Sequence, residues 1–277
     1  MNPDLTVWRA AAEEAARLGA ARLEEWRARF SVREKAQADL VTEADHASQQ
    51  AIRTFLMARF PAHDFLGEED LGAKEGRLRP DVPTWIVDPL DGTANYVHDV
   101  PAYCVSVGFA ANGELVAGAI YDPRQGEMFS AATGLGATLN GRPIRVSAVS
   151  ELRAALLATG FPPDPRCQER NLHYWRTFAY RAQALRRTGS TALNLAYVAA
   201  GRFDGYWAYD NWAWDIAAGA VLVREAGGVV TRADGLPLDP FRPDIVAANR
   251  AIHAAMIERL AASPFTGNAE GVRSGAT

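Results

Sequence analysis

The 277-residue sequence contains almost no lysine and almost no cysteine. Lys35 and Lys74 are its only lysines, and arginine supplies the other basic side chains, which we interpret as genome composition rather than function. Cys104 and Cys167 are too few for a disulfide framework in a chain of this length, so we expect a reducing compartment. Because Cys104 lies in an apolar run, we expect it to be a small buried hydrophobic residue.

The sequence also lacks an excess of positive charge and any long apolar run. Its 33 acidic and 29 basic residues give a net charge of -4, and Arg186-Arg187 is too short for a basic patch, which argues against a nucleic-acid partner. No apolar stretch approaches the roughly 18 residues of a membrane span, and the first residues lack the pattern of a signal peptide. We therefore expect no membrane association and a cytoplasmic location.

Hydrophobic periodicity divides the chain into two halves and a tail. Residues 1–148 predict two helices, at about 4–30 and 42–60, and then a largely antiparallel sheet with turns at Asn112-Gly113 and Asn140-Gly141 and a short strand at 144–146. Residues 149–262 alternate strands with helices, including one at 166–183, which is typical of a more parallel α/β half. Residues 263–277 predict a disordered tail.

The main candidate site is the segment 88–96, Asp-Pro-Leu-Asp-Gly-Thr-Ala-Asn-Tyr. An apolar run leads into Asp88, and Asp91 follows three residues later, with a proline between them that we expect to interrupt the regular strand. Two carboxylates and the Leu90 carbonyl form an oxygen-rich set that suits Mg²⁺. Gly92 and Thr93 open a turn whose bare N–H groups are typical of an anion cradle. Phosphoryl chemistry is the corresponding hypothesis, and the alternative is that these acids only end a strand and cap a helix.

Three further acidic residues indicate a functional site only when they are considered together with segment 88–96. Glu68 lies among three consecutive acids after a short apolar run, a pattern that a solvated loop also shows. Asp215 lies in the first turn of a predicted helix, where the helix dipole alone favours an acid. Asp45 completes the pattern Thr42-Glu-Ala-Asp, which has the form of a capping box.

Taken together, these motifs resemble the inositol monophosphatase family, the lithium-sensitive, magnesium-dependent phosphatases that also include fructose-1,6-bisphosphatases. The segments at 88–96 and 214–219 are similar to the two signatures of that family, and 39–45, 67–69, 189–194 and 200–206 are similar to its other landmarks. They occur in family order. The resemblance implies a layered α-β-α-β-α sandwich, on the border of the α+β and α/β classes, and a homodimer.

The resemblance also implies a role for each matching residue. Two or three Mg²⁺ ions would be held by Glu68, Asp88, the Leu90 carbonyl, Asp91 and Asp215. Glu68 and Thr93 would position the attacking water, with Asp45 accepting a hydrogen bond from the Thr93 hydroxyl. The expected phosphate and substrate contacts are Asp91, Gly92, Thr93, Gly189, Ser190, Thr191 and Asp210. His98 is expected to be a surface or structural residue, because metal-activated water needs no histidine base.

One position departs from the family pattern. Inositol-type members commonly carry a glutamate seven residues before the second-signature aspartate, and here that residue is Ala208, whose methyl group cannot accept a hydrogen bond from a polyol. Asp210 is a candidate substitute. The nearby aromatic residues Trp207, Tyr209 and Trp212 either stack on a flat leaving group or simply pack.

The sequence therefore predicts a Mg²⁺-dependent phosphomonoesterase that acts on a small sugar or polyol phosphate of the inositol 1-phosphate type. Histidinol phosphate and fructose 1,6-bisphosphate remain alternative substrates. A nucleotide 3'-phosphate is the least favoured alternative, because the second signature, Trp-Asp-Ile-Ala-Ala-Gly, is of the inositol type. A non-catalytic regulatory protein on the same fold remains the alternative function, but it predicts loss of a metal ligand, and every implied ligand is present.

Overall fold

The structure, a computed structural model, describes residues 3–36, 39–70, 78–162, 164, 168–242 and 244–266. The prediction for Cys167 and that for most of the C-terminal tail lie outside these residues. Within the described ranges the chain forms helices α1 (Pro3–Trp26), α2 (Glu43–Arg59), α3 (Thr93–Val97), α4 (Glu169–Ala179), α5 (Thr191–Ala199), α6 (Ala213–Glu225) and α7 (Arg250–Ala262). None of the described helices is long and apolar enough to cross a membrane.

The larger sheet has seven strands in the order β3-β4-β5-β6-β7-β8-β9. Only β3 and β4 run parallel, and all other neighbours are antiparallel, as expected for the first half. The strands are β3 (Asp64–Gly67), β4 (Thr84–Asp91), β5 (Cys104–Ala111), β6 (Glu114–Asp122), β7 (Glu127–Ala132), β8 (Gly136–Leu139) and β9 (Arg142–Pro143). Before them, β1 (Val32–Ala36) and β2 (Asp39–Thr42) form a separate antiparallel pair that the sequence did not predict.

The smaller sheet has five strands in the order β11-β10-β12-β14-β13. The strands are β10 (Leu156–Thr159), β11 (Ala184–Arg186), β12 (Gly205–Ala208), β13 (Val229–Thr231) and β14 (Ile245–Ala248). β10 pairs in parallel with both neighbours, whereas the pairs that β14 makes are antiparallel. The sheet is therefore mixed, and it is more parallel than the larger sheet, as predicted for the second half. The predicted division at residue 148 lies between the two sheets.

Three hydrophobic clusters stack helices and sheets into five layers. One cluster joins α1 and α2 to an outer face of the larger sheet, and a second packs α5 and α6 between the two sheets. The third covers the far face of the smaller sheet with α4 and α7. This is the α-β-α-β-α sandwich that the resemblance implies. Close packing of α6 on the larger sheet depends on Gly118, where an added Cβ would lie 2.7 Å from the Cα of Ala218.

Several predicted bounds were wrong. The first helix, predicted at about 4–30, covers Pro3–Trp26 and ends one turn earlier than predicted. The helix predicted at 166–183 covers only Glu169–Ala179, and β11 follows it. The short strand predicted at 144–146 lies earlier in the chain, at Arg142–Pro143, and residues 144–146 are not in a strand.

Candidate active site

Asp88 and Asp91 lie at the end of β4, the fully buried strand next to the edge of the larger sheet. The strand continues through Pro89, but its pairing with β5 shifts register between Asp88 and Asp91, so the regular ladder is interrupted there as predicted. The irregularity reflects proline, which has no N–H to give to the ladder. It places both carboxylates, with the Leu90 carbonyl between them, in the short stretch 88–91 at the end of β4, which we name the acid turn.

Asp88 is 2% exposed and accepts a hydrogen bond from the Leu90 N–H at 3.0 Å. Burial raises the pKa of Asp88 well above its usual range, and the charges of Glu68, Asp91 and Asp215 raise it further. Since each of these charges acts on Asp88, the four acids form one electrostatic cluster. A bound cation would relieve the repulsion among them, so the residues present fit a hard, oxygen-preferring metal such as Mg²⁺.

Asp91 is held by the start of α5, which belongs to the second half of the chain. One oxygen accepts hydrogen bonds from the Ser190 hydroxyl at 2.7 Å and the Ala192 N–H at 2.5 Å, and the other accepts from the Thr191 N–H at 3.3 Å. Burial raises the pKa of Asp91 to about 6, against the lowering effect of these donors. Its carboxylate therefore joins the two halves of the molecule.

Asp45 lies beside the acid turn, on the first turn of α2. Its Oδ1 lies 3.2 Å from the Thr93 hydroxyl, which also lies 3.1 Å from the Leu90 carbonyl oxygen. Its Oδ2 accepts from the N–H and the hydroxyl of Thr42 and completes the predicted capping box. Asp45 is thus a capping residue and a partner of Thr93 at once, because each role uses a different oxygen.

Gly92 precedes the short helix α3, which starts at Thr93. Its φ of 100° lies in the left-handed region, and an added Cβ would lie 2.9 Å from the Ala102 carbonyl oxygen. The position therefore requires glycine. Asn95, on α3, donates to the Ala102 carbonyl and, across to the second half, to the Thr188 carbonyl at 2.8 Å.

The remaining predicted ligands approach from two directions. Glu68 follows β3 and is partly exposed, and its N–H donates to the Val87 carbonyl directly before Asp88. Asp215 lies in the first turn of α6 and accepts from the Trp212 N–H at 2.7 Å. Among the residues that the structure describes, no three His, Cys, Asp or Glu side chains form a closed metal-binding cluster. The acids are therefore neighbours rather than a chelating set, and their assignment as ligands remains a prediction.

The predicted substrate residues lie around the start of α5 and the end of β12. Ser190 is buried, and its hydroxyl donates to Asp91. Gly189 is exposed and has a φ of 91°, and an added Cβ there would lie 2.8 Å from the Asn95 amide nitrogen. Thr191 is partly exposed, and its hydroxyl lies 3.0 Å from that of Tyr206.

At the end of β12, Ala208 is buried and Asp210 has a left-handed φ of 64°. An added Cβ on Gly160 would lie 3.5 Å from both the Ala208 Cβ and the Thr191 hydroxyl oxygen, so these residues adjoin one another. Trp207 and Tyr209 are buried against Phe178 and Tyr174, respectively, and they are packing residues. Trp212 is partly buried and stacks on Trp214.

Two contacts at the acid turn were missed from the sequence. The Ser48 hydroxyl donates to the Pro89 carbonyl at 2.8 Å, and its position three residues after Asp45, on the same helix face, was the available signal. The Cys104 thiol, buried as predicted, lies 3.9 Å from Asp91. His98 is exposed, in agreement with its assignment as a surface residue.

Comparison with known proteins gives the same picture as the fold. The model of the inositol monophosphatase family matches residues 4–264. An inositol-1-monophosphatase from Synechocystis sp. is 42% identical over 94% of this chain and 91% of that protein. The Nus factor SuhB of Pseudomonas aeruginosa is 41% identical over 82% of this chain and 85% of that protein. The solved inositol monophosphatase from Anabaena (Nostoc) sp. superposes with a TM-score of 0.83 at 40% identity, covering 94% of this chain and 98% of that one.

The fold is that of a class of phosphatases, and the family match extends over nearly the whole chain. This chain belongs to the inositol monophosphatase family, whose members are phosphoric monoester hydrolases.

Proposed function

We propose that this chain is a Mg²⁺-dependent phosphomonoesterase that hydrolyses a small sugar or polyol phosphate of the inositol 1-phosphate type. The observation that carries this proposal is the placement of two buried acids, Asp88 and Asp91, at the end of β4 beside Thr93, whose hydroxyl lies 3.1 Å from the Leu90 carbonyl oxygen. The charges of Glu68, Asp91 and Asp215 add to burial in raising the pKa of Asp88. Asp88 and Asp91 lie on β4, Glu68 follows β3, and Asp215 lies on α6. Acids that are partly buried together are costly unless they serve a cation. The small phosphorylated substrate, the homodimer and the cytoplasmic location are parts of the same proposal.

The residues divide the chemistry among them. Glu68, Asp88, the Leu90 carbonyl, Asp91 and Asp215 would hold two or three Mg²⁺ ions, which lower the pKa of bound water and neutralise charge on the phosphoryl group. Thr93, oriented by Asp45, and Glu68 would position the attacking water. The N–H groups of Gly92 and Thr93 would bind the phosphate, and Asp91 would lie beside it.

The alcohol half of the substrate is the open part of the proposal. Ala208 supplies no acceptor. The hydroxyls of Thr191 and Tyr206, which border Gly160 together with the Ala208 methyl group, bond to each other. Asp210, two residues further along, is the candidate acceptor for a substrate hydroxyl. We place inositol 1-phosphate first, and histidinol phosphate and fructose 1,6-bisphosphate as alternatives.

The test is phosphate release from these three compounds and a 3'-phosphonucleotide, with Mg²⁺, with EDTA, and with Mg²⁺ plus Li⁺. We expect Mg²⁺-dependent, Li⁺-inhibited release with one preferred substrate. Release that EDTA does not abolish would contradict the proposed metal chemistry. Since a Nus factor is among the relatives at 41% identity, absence of release from folded protein would instead favour a regulatory function.

A further inference from the structure

One face of α2 contacts three separate parts of the candidate site. Asp45, Ser48 and Gln49 are spaced at i, i+3 and i+4, so their side chains share that face, and all three are buried. Asp45 reaches Thr93 and Ser48 reaches the Pro89 carbonyl. The family resemblance accounts for Asp45 alone, which leaves the contacts of Gln49 unexplained.

Gln49 uses both ends of its side-chain amide on the loop that follows β3. Its Oε1 accepts a hydrogen bond from the Glu69 N–H at 3.0 Å, and its Nε2 donates to Asp70 Oδ1 at 3.1 Å. Both groups are used, so the buried amide carries no unpaired polar atom and its orientation is determined by its partners. A side chain that merely filled space between α2 and the loop would not need this polarity.

The loop backbone lies directly against this amide. A Cβ added to Gly67 would lie 2.3 Å from Gln49 Oε1, so only glycine allows the contact. Asp70 closes the loop from the other side, because its Oδ2 accepts from the Gly67 N–H at 3.0 Å and its own N–H donates to the Gly67 carbonyl. Arg53, one turn after Gln49 on α2, binds the carboxylate of Asp70.

Glu68 lies in the middle of this loop. The N–H groups of Gly67, Glu68 and Glu69 are all bonded, to Asp70, the Val87 carbonyl and Gln49, respectively. The backbone on both sides of Glu68 is therefore held in place, and Val87 is the residue directly before Asp88. The position of the Glu68 carboxylate relative to Asp88 is set through these bonds.

We propose that Gln49 is a positioning residue that places Glu68 against Asp88 through the Glu69 N–H and Asp70, and that it thereby sets the affinity of the site for divalent cations. Gln49 touches no substrate in this proposal and acts only through the loop. The inference rests on the proposed function, because it needs Glu68 to be a metal ligand. It adds a residue that the family resemblance does not include.

The test compares Gln49→Met with Gln50→Met in the full chain. Methionine keeps the length of glutamine and removes both hydrogen bonds. Gln50, the adjacent residue, is exposed and donates to Thr54 on the same helix, so it provides a matched control. Two readouts are needed: Mn²⁺ binding by calorimetry without substrate, and the Mg²⁺ concentration for half-maximal turnover.

We expect Gln49→Met to weaken Mn²⁺ binding and to raise the half-saturating Mg²⁺ concentration by about tenfold, a loss typical for groups that orient metal ligands. Turnover at saturating Mg²⁺ should recover most of the wild-type value, and Gln50→Met should match wild type in both readouts. The pair Gln49→Glu/Asp70→Asn exchanges acceptor and donor between the two positions, and we expect it to bind Mn²⁺ more tightly than Gln49→Glu alone.

A Gln49→Met protein that binds Mn²⁺ as tightly as wild type, even with a lower melting temperature, would overturn the inference, because only a structural contact would then have been lost. Should Gln49→Met fail to fold, the inference is tested by comparing Gln49→Glu with Gln49→Glu/Asp70→Asn. Equal Mn²⁺ affinities of these two variants would overturn the inference. A wild-type protein that binds no Mn²⁺ and shows no Mg²⁺-dependent turnover overturns the proposed function itself.

Discussion

The carboxylate of Asp45 divides its two oxygens between structure and the candidate site. Oδ1 lies 3.2 Å from the Thr93 hydroxyl, and Oδ2 accepts from the N–H and the hydroxyl of Thr42 at the start of α2. The capping-box interpretation and the catalytic interpretation of Asp45 are therefore compatible. They can be separated experimentally, because each depends on a different oxygen.

We expect Asp45→Asn to lower turnover by about 100-fold or more, since the amide loses the charge that polarises the Thr93 hydroxyl. Its remaining oxygen can still cap α2, so the melting temperature should change little. Thr42→Ala should show the opposite pattern, with about 1 kcal/mol lost from the free energy of unfolding and near-normal turnover. Phosphate release and thermal unfolding of both variants provide the comparison, and equal loss of turnover in the two would argue that only the cap matters.

We expect Asp91→Asn to abolish turnover, a loss of more than about 100-fold, while the protein stays folded. The neutral amide removes a predicted metal ligand but leaves an oxygen for the donors at the start of α5. The measurement is turnover alongside a circular dichroism spectrum and a melting curve. Substantial activity with unchanged melting would show that Asp91 is not a metal ligand.

Ala208→Glu should raise kcat/KM for inositol 1-phosphate by about tenfold or more relative to the other phosphomonoesters, because a charged acceptor strengthens a hydrogen bond to a substrate hydroxyl. Ala208→Leu adds similar bulk without an acceptor, and it should lower activity on all substrates alike. The ratio of kcat/KM values among the substrates is the quantity to compare. An unchanged ratio in Ala208→Glu would place the alcohol elsewhere.

Asp122 predicts a pH-dependent stability. It is fully buried at the β6–β7 turn, where one oxygen accepts from the N–H groups of Arg124 and Gln125. Its other oxygen has no hydrogen-bond partner within the described part of the chain. Burial raises the pKa of Asp122 to about 6, so the folded state binds its proton more tightly than the unfolded state does. Its ionisation therefore destabilises the fold above pH 6, and protonation relieves this between about pH 6 and pH 4.

Asp122→Asn should be more stable than wild type by about 1–2 kcal/mol at pH 8, allowing for screening by solvent, and should lose this advantage by about pH 4. Urea unfolding at both pH values measures the difference. Asp239→Asn is the control, because Asp239 makes a similar turn contact with the Phe241 N–H while exposed. A constant difference between wild type and Asp122→Asn at the two pH values would contradict the assigned pKa.

Local signals in the sequence predicted local structure well. Asn112-Gly113 and Asn140-Gly141 form hairpin turns with positive φ at all four residues, and Thr42 caps α2 as its pattern predicts. The short strands β1 and β11 were missed, because segments of three to five residues are too short to show a detectable alternation. Strands this short form because a neighbouring strand offers hydrogen bonds, which the chain does not reveal locally.

The candidate site shows the same limit. Asp88 and Asp91 were recognised from the sequence next to them, and the resemblance alone brought in Asp215 from the second half. Three hydrogen bonds were not predicted: from the Ser190 hydroxyl to Asp91, from the Ser48 hydroxyl to the Pro89 carbonyl, and from the Glu69 N–H to Gln49. Each joins residues far apart in the chain, and no periodicity encodes such pairs.

The bonds between Asp91 and the start of α5 have a consequence for how the protein is made. The ribosome adds Asp91 to the chain long before Ser190 and Ala192. In a nascent chain, this acid, which the complete fold buries, therefore has no hydrogen-bond donors from α5 yet. The larger sheet must either leave the end of β4 open to water during that interval or wait for α5 before it closes. In the proposed function, the cation site is therefore completed only late in synthesis, after α5 and Asp215 have joined the end of β4.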